Sequence, residues 1–225
     1  MQRRHILKFA AVTALLALSS FAQAQQPAYQ TLNPAQPTVG NGQIEVIEFF
    51  SYGCSHCDSF DPILAKWRGE QAKDVVFKRV PVSFGRPEWA ALGRLYLTLN
   101  ALGLSDKLDP AVFDAVHRGR VKLDDEKTRN EWLTKQGVDV RKFNDTWRSF
   151  SIDSLAKRSE QQSAAYKVMG VPALAIQGKY MLEGGDPKSL VTASSLIAKV
   201  RGPVAAAPAA APAPAAAAAK KPAGK

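Results

Sequence analysis

The chain has 225 residues, of which 46% are hydrophobic, so it can bury a core as one domain or as one domain with a large insertion. The formal net charge is +10, but three cations at the N-terminus and three lysines in the C-terminal tail leave only +4 for the part between them. Because its Lys and Arg residues form no stripe interleaved with aromatic residues, the sequence argues against a nucleic-acid partner.

Residues 1–24 are typical of a secretory signal peptide. Three cations precede an apolar run from Phe9 to Leu18, and Ala22-Gln23-Ala24 has the small residues of a cleavage site. The apolar run is shorter than the roughly 18 residues that a membrane-spanning helix needs. The pair Arg3-Arg4 leaves a twin-arginine route open beside ordinary secretion. By either route we expect a location outside the cytoplasm, where disulfides persist.

The first part of the predicted domain covers residues 25–85. Residues 25–43 are polar and contain proline, which predicts a lead-in that lies over the domain rather than in its core. Ile44 to Phe50 is apolar on both faces apart from two glutamates, as a central strand would be. A second buried strand is predicted from Val75 to Val82.

The only two cysteines of the chain lie in Glu48-Phe49-Phe50-Ser51-Tyr52-Gly53-Cys54-Ser55-His56-Cys57. From Cys57 onward apolar residues recur at helical spacing, which predicts a helix with a kink at Pro62 and an end at Gly69. Cys54 is then expected to be exposed at the helix N-terminus, where free N–H groups and the helix dipole stabilise an anion. A thiol in this position ionises below its ordinary pKa of about 8.5. The pattern is typical of a redox-active disulfide.

Two other interpretations of the cysteine pair are weaker. A structural zinc site needs four ligands, but His5 lies in the signal segment, His117 stands alone, and His56 cannot easily converge with both thiols on one metal. A purely structural disulfide would close a very short loop and constrain the unfolded chain little. We therefore expect no metal, and no cofactor beyond the Cys54–Cys57 disulfide itself.

Residues 86–165 are predicted to form an all-helical insertion, since no strand-like run interrupts them. The first predicted helix has Trp89, Leu92, Tyr96 and Leu99 on one face, and the second has Asp109 as N-cap and Pro110 as first residue and ends at Gly119. The third starts at Asp124 or Asp125 and ends at Gly137. The fourth is capped by Asp139, with Val140, Phe143, Trp147 and Phe150 on one face, and a more polar fifth helix runs from Ser151 to Val168.

Strand character returns in residues 166–201, the second part of the domain. Val171 to Gln177 and Tyr180 to Leu182 flank a glycine-containing turn and predict a β-hairpin. Asp186 is followed by proline and is predicted to cap a final helix. Residues 202–225 are almost all Ala and Pro with three lysines, which predicts a disordered tail.

Val171-Pro172 opens the returning strand. A proline is tolerated there simply because the first residue of a strand needs no ladder donor. The functional alternative is a cis bond, which would leave backbone groups of Val171 free beside the cysteines to pair with an extended substrate chain.

With these features in hand, the chain resembles the DsbA-type periplasmic thiol:disulfide oxidoreductases. The resemblance covers about Tyr29 to Val200 and lies in the segment Glu48–Cys57, the helical insertion, and Gly170-Val171-Pro172-Ala173 with Gly178-Lys179-Tyr180. It implies an α/β, thioredoxin-like fold with an inserted all-helical domain, and a periplasmic location.

The resemblance also implies roles for the residues of the motif. Cys54 would be the sulfur that becomes linked to substrate, and Cys57 the buried resolving sulfur. His56 would stabilise the Cys54 thiolate. Ser55 stands where the best-known members carry proline; its hydroxyl can donate to the thiolate, but the turn is looser, so the redox potential stays open.

Two further parts of the site follow from the same resemblance. Glu48 would be the buried acid that assists proton movement at the inner cysteine, with a basic partner on the second strand. Strand parity allows only one of Lys78 and Arg79, and we favour Arg79. Pro172 would be cis and, with Val171, shape the contact with substrate.

The expected function is that of a dithiol oxidase that donates its disulfide to newly secreted proteins. Its partners would be reduced, unfolded secreted proteins and a DsbB-like, quinone-coupled reoxidant in the inner membrane, and we expect a monomer. Alternatives are an isomerase or a reductase of the same fold, or a chaperone-like binding module in which the disulfide is incidental. The lead-in is too short for the dimerisation domain of known isomerases, and no haem signature or tethering helix supports a reductase.

Overall fold

The computed structural model describes residues 28–202. The predicted signal peptide and all of the predicted tail beyond Gly202 lie outside these residues. The strands are β1 (Gln30–Thr31), β2 (Ile44–Phe50), β3 (Val75–Pro81), β4 (Ala173–Ile176) and β5 (Tyr180–Glu183). They form one mixed sheet in the order β1-β5-β4-β2-β3.

Strand β2 lies inside the sheet, as predicted. It pairs in parallel with β3 and antiparallel with β4, and all seven of its residues are buried. Strands β4 and β5 form the predicted hairpin. The register places Glu48 beside Arg79 across β2 and β3, so the parallel pairing brings an acid and a base together inside the sheet.

The helices are α1 (Ser55–Gly69), α2 (Pro87–Ala101), α3 (Ser105–Phe113), α4 (Glu126–Lys135), α5 (Val140–Trp147), α6 (Phe150–Ala165) and α7 (Pro187–Arg201). Helices α2 to α6 lie between β3 and β4 in the chain, which is the thioredoxin-like arrangement with a helical insertion. Of the two predicted starts of α4, Asp125 is the cap, and like the predicted caps Asp139 and Asp186 it accepts a hydrogen bond from the backbone N–H three residues later. The residue limits given above for the parts of the domain stay a prediction.

The prediction for Asp109 and Pro110 was wrong. Helix α3 begins at Ser105, five residues before the predicted first residue Pro110, and both residues lie inside it. Asp109 caps nothing, because its buried carboxylate is bound by Arg79 and by the hydroxyl of Tyr52. The helix continues as a π-helical turn, Asp114–Arg118, and ends before Gly119 as predicted.

Three smaller expectations also need correction. Phe150 does not share a face with α5, because Ser149 caps a new helix and leaves Phe150 as its exposed first residue. The lead-in is not wholly superficial, since β1 pairs with β5 and Leu32 is buried. Helix α1 runs without interruption through Pro62 to Gly69, so its predicted end is confirmed, while the kink stays a prediction.

The cysteines lie where two cores meet. One core packs α1 and α7 against the sheet through Phe60, Leu64, Leu190 and Ile197 among others. The core of the helical insertion includes Phe50, Tyr52, Cys54 and Cys57 together with side chains of α2 to α6. The insertion therefore packs directly on the segment that carries the cysteines.

Candidate active site

The cysteine pair lies at the start of α1, just beyond the end of β2. Cys54 is the N-cap residue of α1, and Cys57 is in its first turn. Cys54 is 7% exposed and Cys57 is fully buried, so the expectation of an exposed Cys54 was wrong. Cys54 is covered by the core of the helical insertion and by the chain before β4. Its thiol donates a hydrogen bond to the carbonyl oxygen of Val171 at 3.3 Å.

Gly53 is required by the close approach of the insertion. A Cβ atom at this position would lie 2.5 Å from Nε1 of Trp89 on α2, far inside van der Waals contact. Any side chain at residue 53 would push Trp89 away from the loop. The insertion thus fixes the backbone immediately before Cys54.

The pKa values of the two thiols are shifted in opposite directions. A hydrogen bond from the Cys57 thiol lowers the pKa of Cys54 to about 6, although burial works against it, and the backbone N–H groups of Cys57 and His56 assist. Burial raises the pKa of Cys57 far above its ordinary value, and the hydrogen bond to Cys54 and the charge of Cys54 raise it further. At neutral pH the pair is therefore one thiolate and one thiol.

The two residues between the cysteines are both exposed. The positive charge of His56 lowers the pKa of Cys54, but it is the smallest of the contributions named for that thiol. Within residues 28–202 the Ser55 hydroxyl makes no hydrogen bond to Cys54, while the Ser55 carbonyl accepts one from Ser59. In this structure the thiolate is held mainly by Cys57 and by backbone N–H groups of the helix.

The Val171–Pro172 peptide bond is cis, and Pro172 is buried. The Pro172 carbonyl accepts a hydrogen bond from the N–H of Gly184 at 2.9 Å, which ties this turn to the end of β5. The Val171 carbonyl, expected to be free, accepts from the Cys54 thiol. The structure therefore brings Val171 and Pro172 directly against the reactive sulfur.

Beneath the cysteines, Glu48 is fully buried and paired with Arg79. Arg79 Nε lies 2.6 Å from Glu48 Oε2, while Lys78 points to the other face of the sheet and pairs with Glu45 at 2.7 Å. The basic partner of Glu48 is thus Arg79, as favoured. Burial raises the pKa of Glu48 to about 7 even though Arg79 opposes the rise.

Arg79 is shared among three carboxylates. Its Nη1 atom donates to Asp109 Oδ2 at 2.7 Å, and its Nη2 atom lies 2.9 Å from Asp61 Oδ1 without hydrogen-bond alignment. The Tyr52 hydroxyl donates to the other oxygen of Asp109. Only 6% of the Arg79 side chain is exposed, so one cation faces three acids in a buried site.

The π-helical turn Asp114–Arg118 also touches the loop that carries the cysteines. Nε2 of His117 lies 2.8 Å from the carbonyl oxygen of Tyr52. Arg118, in the same turn, pairs with Asp58 of α1 at 3.0 Å. The sequence context had indicated that His117 stands alone. In the structure it contacts the loop that carries the cysteines.

Sequence reasoning missed Tyr52, Asp61 and Asp109 as members of the site. A signal was available for Asp61, which follows Cys57 by four residues and so falls on the same helical face. Tyr52 lay inside the motif but was not singled out. No local pattern marks Asp109, because its partner Arg79 lies 30 residues away in the chain.

Among residues 28–202, no group of three or more His, Cys, Asp or Glu side chains is arranged to hold a metal ion. Within this same part of the chain, no helix has the length and apolar character needed to cross a membrane.

A family model described as a DSBA-like thioredoxin domain matches residues 45–193. The "Thiol:disulfide interchange protein DsbA" of Pseudomonas syringae pv. tomato is 36% identical over 213 residues, which cover 91% of this chain and 99% of that protein. The protein of the same description from Bordetella parapertussis is 40% identical over 194 residues, covering 83% of this chain and 92% of that one.

Solved structures agree. The crystal structure of Pseudomonas aeruginosa DsbA superposes with a TM-score of 0.73 at 35% sequence identity, covering 77% of this chain and 92% of that one. The oxidoreductase DsbA from Xylella fastidiosa gives a TM-score of 0.72 at 29% identity, covering 77% of this chain and 95% of that one.

Proposed function

The chain belongs to the DSBA-like thioredoxin family and is a thiol:disulfide oxidoreductase, and we propose that it donates the Cys54–Cys57 disulfide to newly secreted proteins in the periplasm. The observation that carries the proposal is the different setting of the two thiols: Cys54 is the N-cap of α1, where hydrogen bonds lower its pKa, and Cys57 is fully buried, which raises its pKa. Whatever stabilises the Cys54 thiolate stabilises the reduced protein, and so makes its disulfide a stronger oxidant. Each pKa unit is worth about 1.4 kcal/mol, or about 30 mV for a two-electron couple.

The reaction proceeds in two exchanges. A substrate thiolate attacks Cys54 of the oxidised protein; a new sulfur–sulfur bond forms, the Cys54–Cys57 bond breaks, and Cys57 leaves with the electron pair and takes up a proton. A second thiolate of the substrate then attacks the substrate sulfur that is bonded to Cys54. The substrate disulfide forms, and Cys54 leaves as a thiolate. The substrate loses two electrons and the protein gains them. A low pKa makes Cys54 a good leaving group in the second exchange.

The other residues of the site have supporting roles in this proposal. Glu48 gives the proton to Cys57 as the sulfur leaves, and Arg79 is its partner. The helix N-terminus and His56 favour the Cys54 thiolate, and Ser55 leaves the turn accessible. The backbone at Val171 and Pro172 pairs with an extended substrate segment once the thiol of Cys54 no longer occupies the carbonyl.

An unfolded substrate would find an apolar surface around the cysteines. Phe84 is 41% exposed and lies against Trp89, which covers Gly53. Met169 is 93% exposed and comes two residues before Val171. These side chains suit reduced, unfolded secreted proteins as clients, and a DsbB-like quinone-coupled membrane protein would restore the disulfide. The reaction needs no metal or cofactor, and the protein works as a monomer.

The first test is a redox equilibrium. The purified mature chain is equilibrated in glutathione buffers, and its free thiols are counted by alkylation and mass. We expect the pair to stay reduced until the buffer is strongly oxidising. A pair that oxidises even in a strongly reducing buffer would overturn the oxidase proposal in favour of a reductase or an inert bridge.

The second test follows the oxidation of a reduced, unfolded substrate. Cys54→Ser should abolish it, since no sulfur remains to receive the substrate thiolate. If the variant kept the activity, the proposed chemistry would be wrong. Unaltered client folding by the Cys54→Ser, Cys57→Ser double variant would point instead to a chaperone-like module.

A further inference from the structure

The cluster beneath the cysteines holds more negative charge than its single cation can neutralise. Arg79 contacts Glu48 of β2, Asp61 of α1 and Asp109 of α3. With all three carboxylates ionised, the buried group would carry a net charge of about −2, which a medium of low dielectric strongly disfavours. One of the three acids must therefore bind a proton readily.

The contacts indicate which acid this is. Burial raises the pKa of Asp109, but both of its oxygens are occupied by donors, one by Arg79 Nη1 and the other by the Tyr52 hydroxyl. Donors to a carboxylate favour its ionised form and so oppose this rise. Asp61 is the most exposed of the three, with 13% of its side chain accessible at a cleft shared with Arg68 and Asp106.

Glu48 differs from both. It is fully buried, its Oε2 atom accepts from Arg79 Nε, and its Oε1 atom has no hydrogen-bond partner among the described residues. A proton on Oε1 costs no existing bond. The negative charge of Glu48 also raises the pKa of Cys57.

We propose that Asp109, held ionised by Tyr52, is a positioning residue for the thiol–disulfide exchange: by taking a share of Arg79 it leaves the proton of the cluster on Glu48, where the departing Cys57 sulfur can take it. This inference rests on the proposed function. It assigns to the helical insertion a direct part in the chemistry, because Asp109 is the one member of the cluster that the insertion supplies. The burial that raises the pKa of Glu48 to about 7 agrees with it.

The titratable and charged groups that act on Glu48 come from every element packed around it: Cys57 and Asp61 on α1, Arg79 on β3, Tyr96 on α2 and Asp109 on α3. Tyr52, after β2, reaches the cluster through its hydrogen bond to Asp109. Replacement of Asp109 by asparagine keeps the shape of the side chain and removes one negative charge. Arg79 then has only two carboxylates to serve, so Glu48 gains a larger share of it and releases its proton more easily.

The experiment is a titration of the Glu48 carboxyl by carbon-13 NMR in the reduced protein, together with the pH profile of substrate oxidation. In Asp109→Asn the Glu48 midpoint should fall by up to about one pH unit. Above the new midpoint each unit lowers the protonated fraction tenfold, and the exchange rate should fall by about the same factor. Asp109→Glu, which keeps the charge, should restore both.

The matched control is Asp106→Asn. It makes the same charge change three residues earlier on α3, at an exposed carboxylate paired with the surface residue Arg68. It should leave the Glu48 midpoint in place. An equal fall in both variants, or no fall in Asp109→Asn, would overturn the inference.

If Asp109→Asn does not fold, Tyr52→Phe provides the test. It keeps every charged residue of the cluster but removes the donor that holds Asp109 ionised. Asp109 then carries less negative charge, so the Glu48 midpoint should fall by a smaller amount in the same direction. An unchanged midpoint would contradict the inference. The proposed function fails separately, by the absence of oxidase activity in the unsubstituted protein, whatever the titration shows.

Discussion

The two sides of the active site shift the pKa of a cysteine thiol in opposite directions. The outer side consists of Cys54, Ser55, His56, Val171 and Pro172, and the inner side of Cys57, Glu48, Arg79, Asp61 and Asp109. On the outer side the pKa of a thiol falls to about 6 because hydrogen bonds reach the sulfur. On the inner side burial raises the pKa of a thiol only three residues away.

This contrast shows that the sequence motif does not by itself determine which of its two cysteines is the thiolate and which stays protonated. Both sulfurs are buried, and they lie in one helical turn. The division comes from what surrounds them: backbone N–H groups and a thiol donor for Cys54, and a dry core with a nearby acid for Cys57. A change on one side should therefore have effects of a different kind from a change on the other.

The largest effect we expect on stability comes from Arg79→Met on the inner side. The substitution leaves buried carboxylates without their cation, and breaking a buried ion pair in this way costs about 3–5 kcal/mol. Urea unfolding of the reduced protein at neutral pH measures the loss.

Lys78→Met is the matched control for Arg79→Met. It removes the cation of the next residue on the same strand, whose side chain is 45% exposed. Its partner Glu45 is buried, but only one carboxylate rather than three then loses its cation, so we expect a smaller loss than for Arg79→Met. Equal losses for the two variants would mean that the buried cluster contributes no more to stability than the half-exposed pair of Lys78 and Glu45.

A second prediction concerns the pH dependence of stability in the reduced protein. Burial raises the pKa of Glu48 from 4.5 to about 7, so the folded chain binds this proton more tightly than the unfolded chain. The stabilisation from the proton is complete below pH 4.5 and is lost as the pH rises to about 7. At about 1.4 kcal/mol per pKa unit the loss is about 3 kcal/mol.

Glu48→Gln should remove this dependence. The difference in unfolding free energy between the variant and the unsubstituted protein should rise by about 3 kcal/mol across this range and stay constant above it. Glu45→Gln, on the opposite face of the same strand, controls for the loss of a glutamate. A difference that does not change with pH would show that folding leaves the pKa of Glu48 unchanged.

The smallest predicted effect lies on the outer side. His56 is exposed and its charge is the last of the contributions that lower the pKa of Cys54. His56→Ala should therefore raise that pKa by less than about one unit, or about 1.4 kcal/mol. The ultraviolet absorbance of the thiolate, followed against pH, measures the rise, and Ser55→Ala serves as the control. A rise of about two units or more would show that His56 is the main group that stabilises the Cys54 thiolate.

The local features of the chain could be predicted from the sequence. Strand β2, the hairpin and three aspartate caps are confirmed, because alternation, turn residues and capping chemistry act over a few neighbouring residues. The Asp109-Pro110 pair shows where this reasoning fails. Locally it is a good helix start, but an arginine 30 residues away binds the carboxylate, and the helix begins earlier.

By itself, then, the sequence determined the cysteine pair, the strand before it, the helix after it and the proline turn that meets it. These features depend on spacing and on the chemistry of adjacent residues. Only the tertiary structure decided that Cys54 is covered as well as Cys57, that Gly53 lies under Trp89, and that one arginine serves three acids. Burial and charge sharing depend on elements distant in the chain, and no local pattern encodes which of them will meet.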